Sequence, residues 1–306
     1  MQQTTIARTV RWHGVGLHSG EPASVEVRPA PAGTGLVFAV TDADGAAESE
    51  IPARPDAVHS TTRATTLAAS PRPDAPRVAT VEHLLAALFV LGIHNARIAV
   101  RGGEIPALDG SAAPFVARLR RAGARVLAEV RRELEVTREL EISNGDRWIR
   151  IAPGEGLRID YSIDFAHPRV GRQRHVLESL DPILFESELA PARTFGFAAE
   201  VEALRAQGLA RGGDYSNTVV LGDDGLLNPG GLRFPDEFVR HKLLDLLGDL
   251  ALVGAEIHAR ITVEKGGHGL HHALVRALAE GSDLVVPRTA CSPAPARRRA
   301  GAAQPG

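Results

Sequence analysis

The segment EFVRHKLLDLLGDL, residues 237–250, constrains the fold more than any other part of this chain. His241, Asp245 and Asp249 recur at intervals of four, so an α-helix carries them along one stripe. Phe238, Leu243, Leu244, Leu246, Leu247 and Leu250 occupy most of the remaining surface, which implies that the helix is buried. Two carboxylates and an imidazole on such a helix cost on the order of several kcal/mol unless they are paired or bind a metal. By spacing alone the stripe reads either as a solvated charged face or as a site. A histidine and an aspartate at i and i+4 can both reach one cation, the idea behind the HExxH helix.

A second helix is predicted over Val81–Leu91, VEHLLAALFVL, apolar nearly all round and stopped by Gly92. His83 alone reads as a satisfied core histidine. Beside Glu82, at the head of so apolar a helix, it needs a partner there. His83, His241 and Asp245 together would supply two imidazoles and one carboxylate, with a fourth position left to water. That is the stoichiometry of a catalytic zinc site, and the same set also accepts ferrous iron or cobalt. Glu82 can serve as a base toward the metal's water, or as a first-turn carboxylate favoured by the helix dipole. His268, in EKGGHGLHH, reads as a residue of a Gly-rich turn after a strand and is the acid candidate. Asp249 is one turn beyond Asp245, where it can keep an imidazolium charged. Lys242 and Lys265 are placed to meet an anion, although each alone reads as a solvated lysine.

The rest of the text is α+β. Strand-like alternation fills Thr4–Val40, and a helix is expected over SAAPFVARLRRAG, with Ser111 as its N-cap and Gly123 at its end. A second set of strands opens with RELEVTRELEIS, WIRIAP and LRIDYSIDF. Helices at about 198–207 and 237–253, a strand ARITVE and a helix HHALVRALAEG follow. VEHLLAALFVLG and VRHKLLDLLGDLALVG echo one another, each placing a histidine two residues after a valine. Two related units are therefore expected, residues 1–128 and 129–291, with helices packed between two sheets. Residues 292–306, rich in Pro, Ala and Arg, are expected to be disordered.

Composition narrows the function. Lys and Arg total 35 against 37 Asp and Glu, so no overall field draws the chain to nucleic acid. The single cysteine, Cys291, leaves no internal disulfide framework or thiolate-rich zinc site and suits a reducing compartment. No stretch reaches the roughly 18 apolar residues of a membrane span, and the N-terminus has no apolar signal core, so a cytoplasmic chain is expected, and separately a monomer.

TVEHLLAAL, GGEIPALDGSAAPFV, ARTFGF, GLARGGDYSNTVVL, LNPGGLRFPDEFVRHKLLDLLGDL and KGGHGL together resemble the UDP-3-O-acyl-N-acetylglucosamine deacetylase family of lipid A biosynthesis. The likeness runs from GVGLH at residues 14–18 to about Leu278. It implies two α+β domains of similar topology with the active site at their junction. It also implies zinc on His83, His241 and Asp245, Glu82 as general base, His268 as general acid paired with Asp249, and Thr194 as an oxyanion donor. By the same resemblance His18, Lys242 and Lys265 contact substrate and its diphosphate, Phe165 stacks on uracil, and Phe195 is near the sugar. An acyl passage would be lined by Ala198, Val201, Leu204, Ala210 and Thr218. Two other classes stay open on the residues alone. One is a zinc hydrolase acting on peptides, and the other is a metal-free module that binds nucleotide-sugar or lipid.

Overall fold

Strands β1 (Gln2–Ile6), β2 (Val10–Val15), β3 (Pro22–Pro29), β4 (Leu36–Thr41) and β5 (Glu48–Pro52) open the chain. The alternation that predicts them sorts their side chains: Ala23, Val25 and Val27 of β3 are buried, while Ser24 and Glu26 are more accessible. The computed structural model describes residues 1–41, 48–281 and 283–288. Cys291 and the 292–306 segment lie outside the described residues.

Short strands β6 (Val58–Ser60), β7 (Thr66–Ala68) and β8 (Arg77–Val78) form a small sheet ahead of helix α1 (Glu82–Val90). Leu and Ala, strong helix formers, fill α1, and Gly92 ends it with φ of 64°. The chain returns through β9 (Ala96–Arg101), which enters between β3 and β4, antiparallel to the first and parallel to the second. Helix α2 (Ala113–Ala122) and β10 (Ala124–Val130), paired with β1, follow. The N-cap of α2 is Ala112 and not Ser111 as expected, although the Ser111 hydroxyl, one residue earlier, accepts the Ala113 N–H at 3.2 Å.

The pattern then recurs. Strands β11 (Glu133–Val136), β12 (Leu140–Asn144), β13 (Arg147–Ala152), β14 (Leu157–Phe165) and β15 (Gly171–Leu177) lead into a less regular stretch. That stretch holds the one-turn helix α3 (Pro182–Leu184), the parallel pair β16 (Phe195–Phe197) and β17 (Val219–Leu221), and helix α4 (Val201–Ala206), entered through a tighter turn at Ala198–Glu200. Helix α5 (Glu237–Leu250) follows, tightens over Ala251–Val253 and stops at Gly254. Strand β18 (Glu256–Glu264) enters between β13 and β14, antiparallel to one and parallel to the other. Helix α6 (His268–Glu280) and β19 (Val285–Pro287) complete the described chain. The order β2-β3-β9-β4-β5 in the first sheet is thus repeated as β12-β13-β18-β14-β15 in the second, with the same strand senses.

The start of α6 also differs from expectation. Helix α6 begins at His268 rather than His271, so His268 is a first-turn helical residue and not part of a turn. Gly267, in extended backbone, lets the chain enter the helix there, and its carbonyl accepts the Leu270 and His271 amides.

The helices occupy the space between the sheets. Helix α1 packs on α5, α5 on β14 and β15, and α6 on α5, β12 and β13. One continuous core runs from Val25, Phe38 and Ile98 through Leu84, Leu88, Leu243 and Leu247 to Ile149, Ile159 and Ile261. Among the described residues no helix is long and apolar enough to cross a membrane.

Helices α1 and α5 approach closely where they cross. A Cβ on Gly248 would overlap the Glu82 carbonyl group, so only glycine permits the contact. Replacing Gly248 with Ala should destabilise the protein by about 1–3 kcal/mol, the usual cost of overpacking. Thermal denaturation should show a midpoint lower by several degrees, and an unchanged midpoint would contradict this packing.

Candidate metal centre and its acid–base flank

The α5 stripe faces the N-terminal turn of α1. His241 Nδ1 donates to the Ala192 carbonyl at 3.1 Å, which places its proton on that nitrogen and leaves the Nε2 lone pair free. Nε2 of His241 is 3.4 Å from Asp245 Oδ1, and Nε2 of His83 is 3.5 Å from the same oxygen. The two rings meet edge to face with centroids 4.9 Å apart. All three ligand-capable atoms lie within 4.8 Å of one another.

The Asp245 carboxylate is divided between two environments. Oδ2 accepts from Lys242 Nζ at 2.6 Å, whereas Oδ1 is buried with no hydrogen-bond partner. Burial opposes its ionisation, but Lys242 and His241 hold it well below the usual carboxylate range. Burial likewise lowers His241 to about 4, against the pull of Asp245, so the imidazole is neutral. An unpartnered buried carboxylate oxygen facing two imidazole nitrogens is costly unless a cation sits among them. The donor set fits a divalent metal ion.

Next to this cluster lie Glu82 and His268. Glu82 Oε2 accepts the Thr65 amide at 3.1 Å, and burial raises its pKa. His268 Nε2 is 3.8 Å from Glu82 Oε1 and 3.8 Å from Asp245 Oδ2. Its Nδ1 donates to Asp249 Oδ2 at 2.8 Å. Burial disfavours the imidazolium, yet the charge and hydrogen bond of Asp249 outweigh it and raise His268 to about 9. Asp249 is itself fully buried and stays ionised because imidazoles surround it: His271 Nδ1 at 2.8 Å and His272 Nε2 at 3.1 Å join His268. Thr65 ties the two carboxylates together, its hydroxyl donating to Asp249 Oδ1 at 2.6 Å and its amide to Glu82. Two ionisable groups with raised pKa values, Glu82 through burial and His268 through the charge and hydrogen bond of Asp249, therefore stand on one side of the cluster.

A cleft of about 750 Å³ opens over these groups. His18, Thr194, Phe165, Phe195, Lys242 and Lys265 all line it, with Glu82, His83, His241, Asp245 and His268. Asp249 lies beneath the wall. Phe165 and Phe195 meet edge to face, their centroids 5.6 Å apart. Lys265 is held between Asp146 and Asp164 at 2.9 and 3.1 Å, and Lys242 is paired with Asp245, so neither is a freely solvated lysine. Thr194 follows Arg193, whose buried guanidinium grips Glu237 at the head of α5, and its amide donates to Gly110. Glu104, buried behind the cleft, accepts the amides of His18 and Ser19 at 2.9 Å each. Val201, Leu204, Ala210 and Thr218 are half-buried in the 201–218 segment and do not line this cleft. The Ala210 amide nevertheless donates to His18 Nδ1 at 3.3 Å.

Reading the sequence missed Thr65, Tyr161, His271 and His272. For the histidines the signal was present in GHGLHH, where i, i+3 and i+4 spacing puts all three on one helix face.

A model of the family described as UDP-3-O-acyl N-acetylglycosamine deacetylase matches residues 3–280. A protein of that activity by name, UDP-3-O-acyl-N-acetylglucosamine deacetylase of an Anaeromyxobacter species, is 47% identical over 298 residues, covering 97% of this chain and 95% of its own. The same-named protein of Oleidesulfovibrio alaskensis is 43% identical, covering 100% of this chain and 98% of its own. That of a Shewanella species is 44% identical, with 92% and 90% covered. With a match of this extent, over the elements that build the cluster and the cleft, the chain belongs to the UDP-3-O-acyl N-acetylglycosamine deacetylase family.

Proposed function

We propose that this chain hydrolyses the N-acetyl group of UDP-3-O-acyl-N-acetylglucosamine, releasing acetate and a free amine for lipid A biosynthesis. The observation that carries the reading is the unpartnered Asp245 Oδ1 facing His83 and His241, with Glu82 and His268 beside it. We take His83, His241 and Asp245 as the metal ligands and zinc as the ion, ferrous iron being the other metal such a set accepts. His83, His241 and Asp245 would hold such a cation, which when bound would lower the pKa of a water toward roughly 7 and polarise an acyl carbonyl.

The chain's own residues divide the remaining work. Glu82, its carboxyl pushed up by burial, takes the proton of the attacking water. Thr194 offers its hydroxyl to the oxyanion that attack creates. His268 carries a proton on Nε2 toward the leaving nitrogen, and Asp249 keeps it charged from the other side of the ring. His18, Lys242 and Lys265 serve the sugar and diphosphate, Phe165 the base, and Phe195 the sugar face. The 3-O-acyl chain follows a passage past Ala198, Val201, Leu204, Ala210 and Thr218. In this reading residues 1–128 and 129–291 are two related domains meeting at the cleft, and the enzyme acts as a cytoplasmic monomer.

Acetate release from the acylated UDP-sugar, measured with and without a chelator, tests substrate and metal together. Activity should vanish on metal removal and return with zinc, and chelator-insensitive release would end the metal assignment. Omission of the 3-O-acyl chain should weaken turnover, whereas a peptide hydrolase would be indifferent to it. Glu82→Gln and His268→Ala should each lower kcat by at least about a hundredfold, the scale of general acid–base catalysis. His241→Ala should lower bound metal as well as rate, which elemental analysis of the purified variant would record.

The proton on His268 also sets a pH limit. Because the active form is protonated and its pKa is raised to about 9, the rate should fall as pH rises through that value. Asp249→Asn removes the carboxylate that raises it, so the alkaline limb of the pH–rate profile should move to lower pH. A limb that stays in place would exclude His268 as the group responsible.

A further inference from the structure

Asp249 Oδ2 accepts two hydrogen bonds of equal length, 2.8 Å from His268 Nδ1 and 2.8 Å from His271 Nδ1. Only His268 reaches the cleft. His271 is fully buried, and its other nitrogen, Nε2, is 2.9 Å from the hydroxyl of Tyr161, itself fully buried on β14. Gly266 makes room for that hydroxyl, since a Cβ there would come within 2.6 Å of it. Burial holds the Tyr161 phenol well above its ordinary pKa and lowers His271 to about 4, so both are neutral.

A neutral imidazole between a phenol and a carboxylate has one satisfactory tautomer: Nε2 accepts the phenolic proton and Nδ1–H donates to the carboxylate. Tyr161 thereby fixes which His271 nitrogen carries the proton. That donor is aimed at the same oxygen that serves His268, on the side away from the cleft. A carboxylate bonded to one imidazole alone can rotate and divide its oxygens among other donors. With Thr65 and His272 on Oδ1, the latter at 3.1 Å, and His271 joining His268 on Oδ2, Asp249 has no such freedom, and His271 is the second donor that fixes the oxygen serving His268.

We propose that His271, oriented by Tyr161, is a positioning residue for the deacetylation: its Nδ1–H locks Asp249 in the orientation that aligns His268. The inference rests on the reading of His268 as the general acid. Removal of a donor to a buried carboxylate typically costs enough to slow a step about tenfold or more.

The test uses the zinc-loaded full chain and acetate release. His271→Asn puts an amide N–H close to where Nδ1 stands and keeps the bond to Asp249. His271→Gln carries its amide to the position of Nε2, serving Tyr161 but not Asp249. His271→Leu preserves bulk and removes both bonds. The Asn variant should keep kcat within about threefold, while Gln and Leu lose about tenfold with KM nearly unchanged, as expected for one lost donor to a charged group. Should the Leu variant fail to fold, the Asn and Gln pair carries the same comparison. Wild-type kcat in the Gln variant, or equal losses in Asn and Gln, would overturn the proposal, because a purely structural role does not discriminate between the two amide positions. His268→Ala is run alongside. Full activity there defeats the acid reading itself, whereas a large loss there with none in Gln defeats only the role of His271.

Discussion

The rest of the site depends on the contact between the N-terminal turn of α1 and the middle of α5. Gly248 lets the two backbones close to a distance that no side chain at that position would allow. His83 and Glu82 enter from one helix, and His241, Asp245 and Asp249 from the other, one turn apart. At a wider crossing His83 would not reach Asp245 Oδ1, and that oxygen would keep only His241 of its own helix as a neighbour.

Burial acts on Glu82, Asp249, His241 and His268 alike, and the local partners decide the outcome. Glu82, with a single amide on Oε2 and carboxylates nearby, is pushed toward its protonated form. Asp249, equally buried, is held ionised by the imidazoles around it. His241 and His268 diverge in the same way: one is lowered to about 4, and the other is raised to about 9 by its aspartate. Glu82 and His268 are thus both raised, but for opposite reasons: burial disfavours the charged form of the first, and Asp249 supports the charged form of the second.

The stretch between β15 and α5 is tied to this frame by one buried ion pair. Arg193 donates to Glu237 through its backbone amide at 3.0 Å and through Nε at 2.8 Å, and Nη2 reaches the other oxygen at 3.1 Å. Glu237 opens α5, so the loop carrying Thr194 is fastened one turn ahead of His241. A bidentate arginine pair defines direction as well as distance. Thr194 is therefore placed relative to the cluster of His83, His241 and Asp245 by the helix that supplies two of its members.

Much of this was written in the sequence because periodicity and apolar runs are local. The bounds of α1 and α5, the buried stripe at residues 241, 245 and 249, the echo between the two helices and the strand alternation all follow from side chains within one turn or one pleat of each other. The start of α6 did not, because the extended Gly267 that admits His268 to the helix is a backbone choice that a Gly-rich run leaves open. Nor did the insertion of β9 and β18 into the middle of their sheets, or the network of Thr65, Tyr161 and His271 around Asp249. Those partners are separated by about 20 to 200 positions along the chain and meet only when the sheets close over the helices. Sequence spacing thus determined which groups would be buried and forced to find partners. Tertiary packing alone decided which partners they found, because burial sets the cost of an isolated charge while only three-dimensional proximity can offset it.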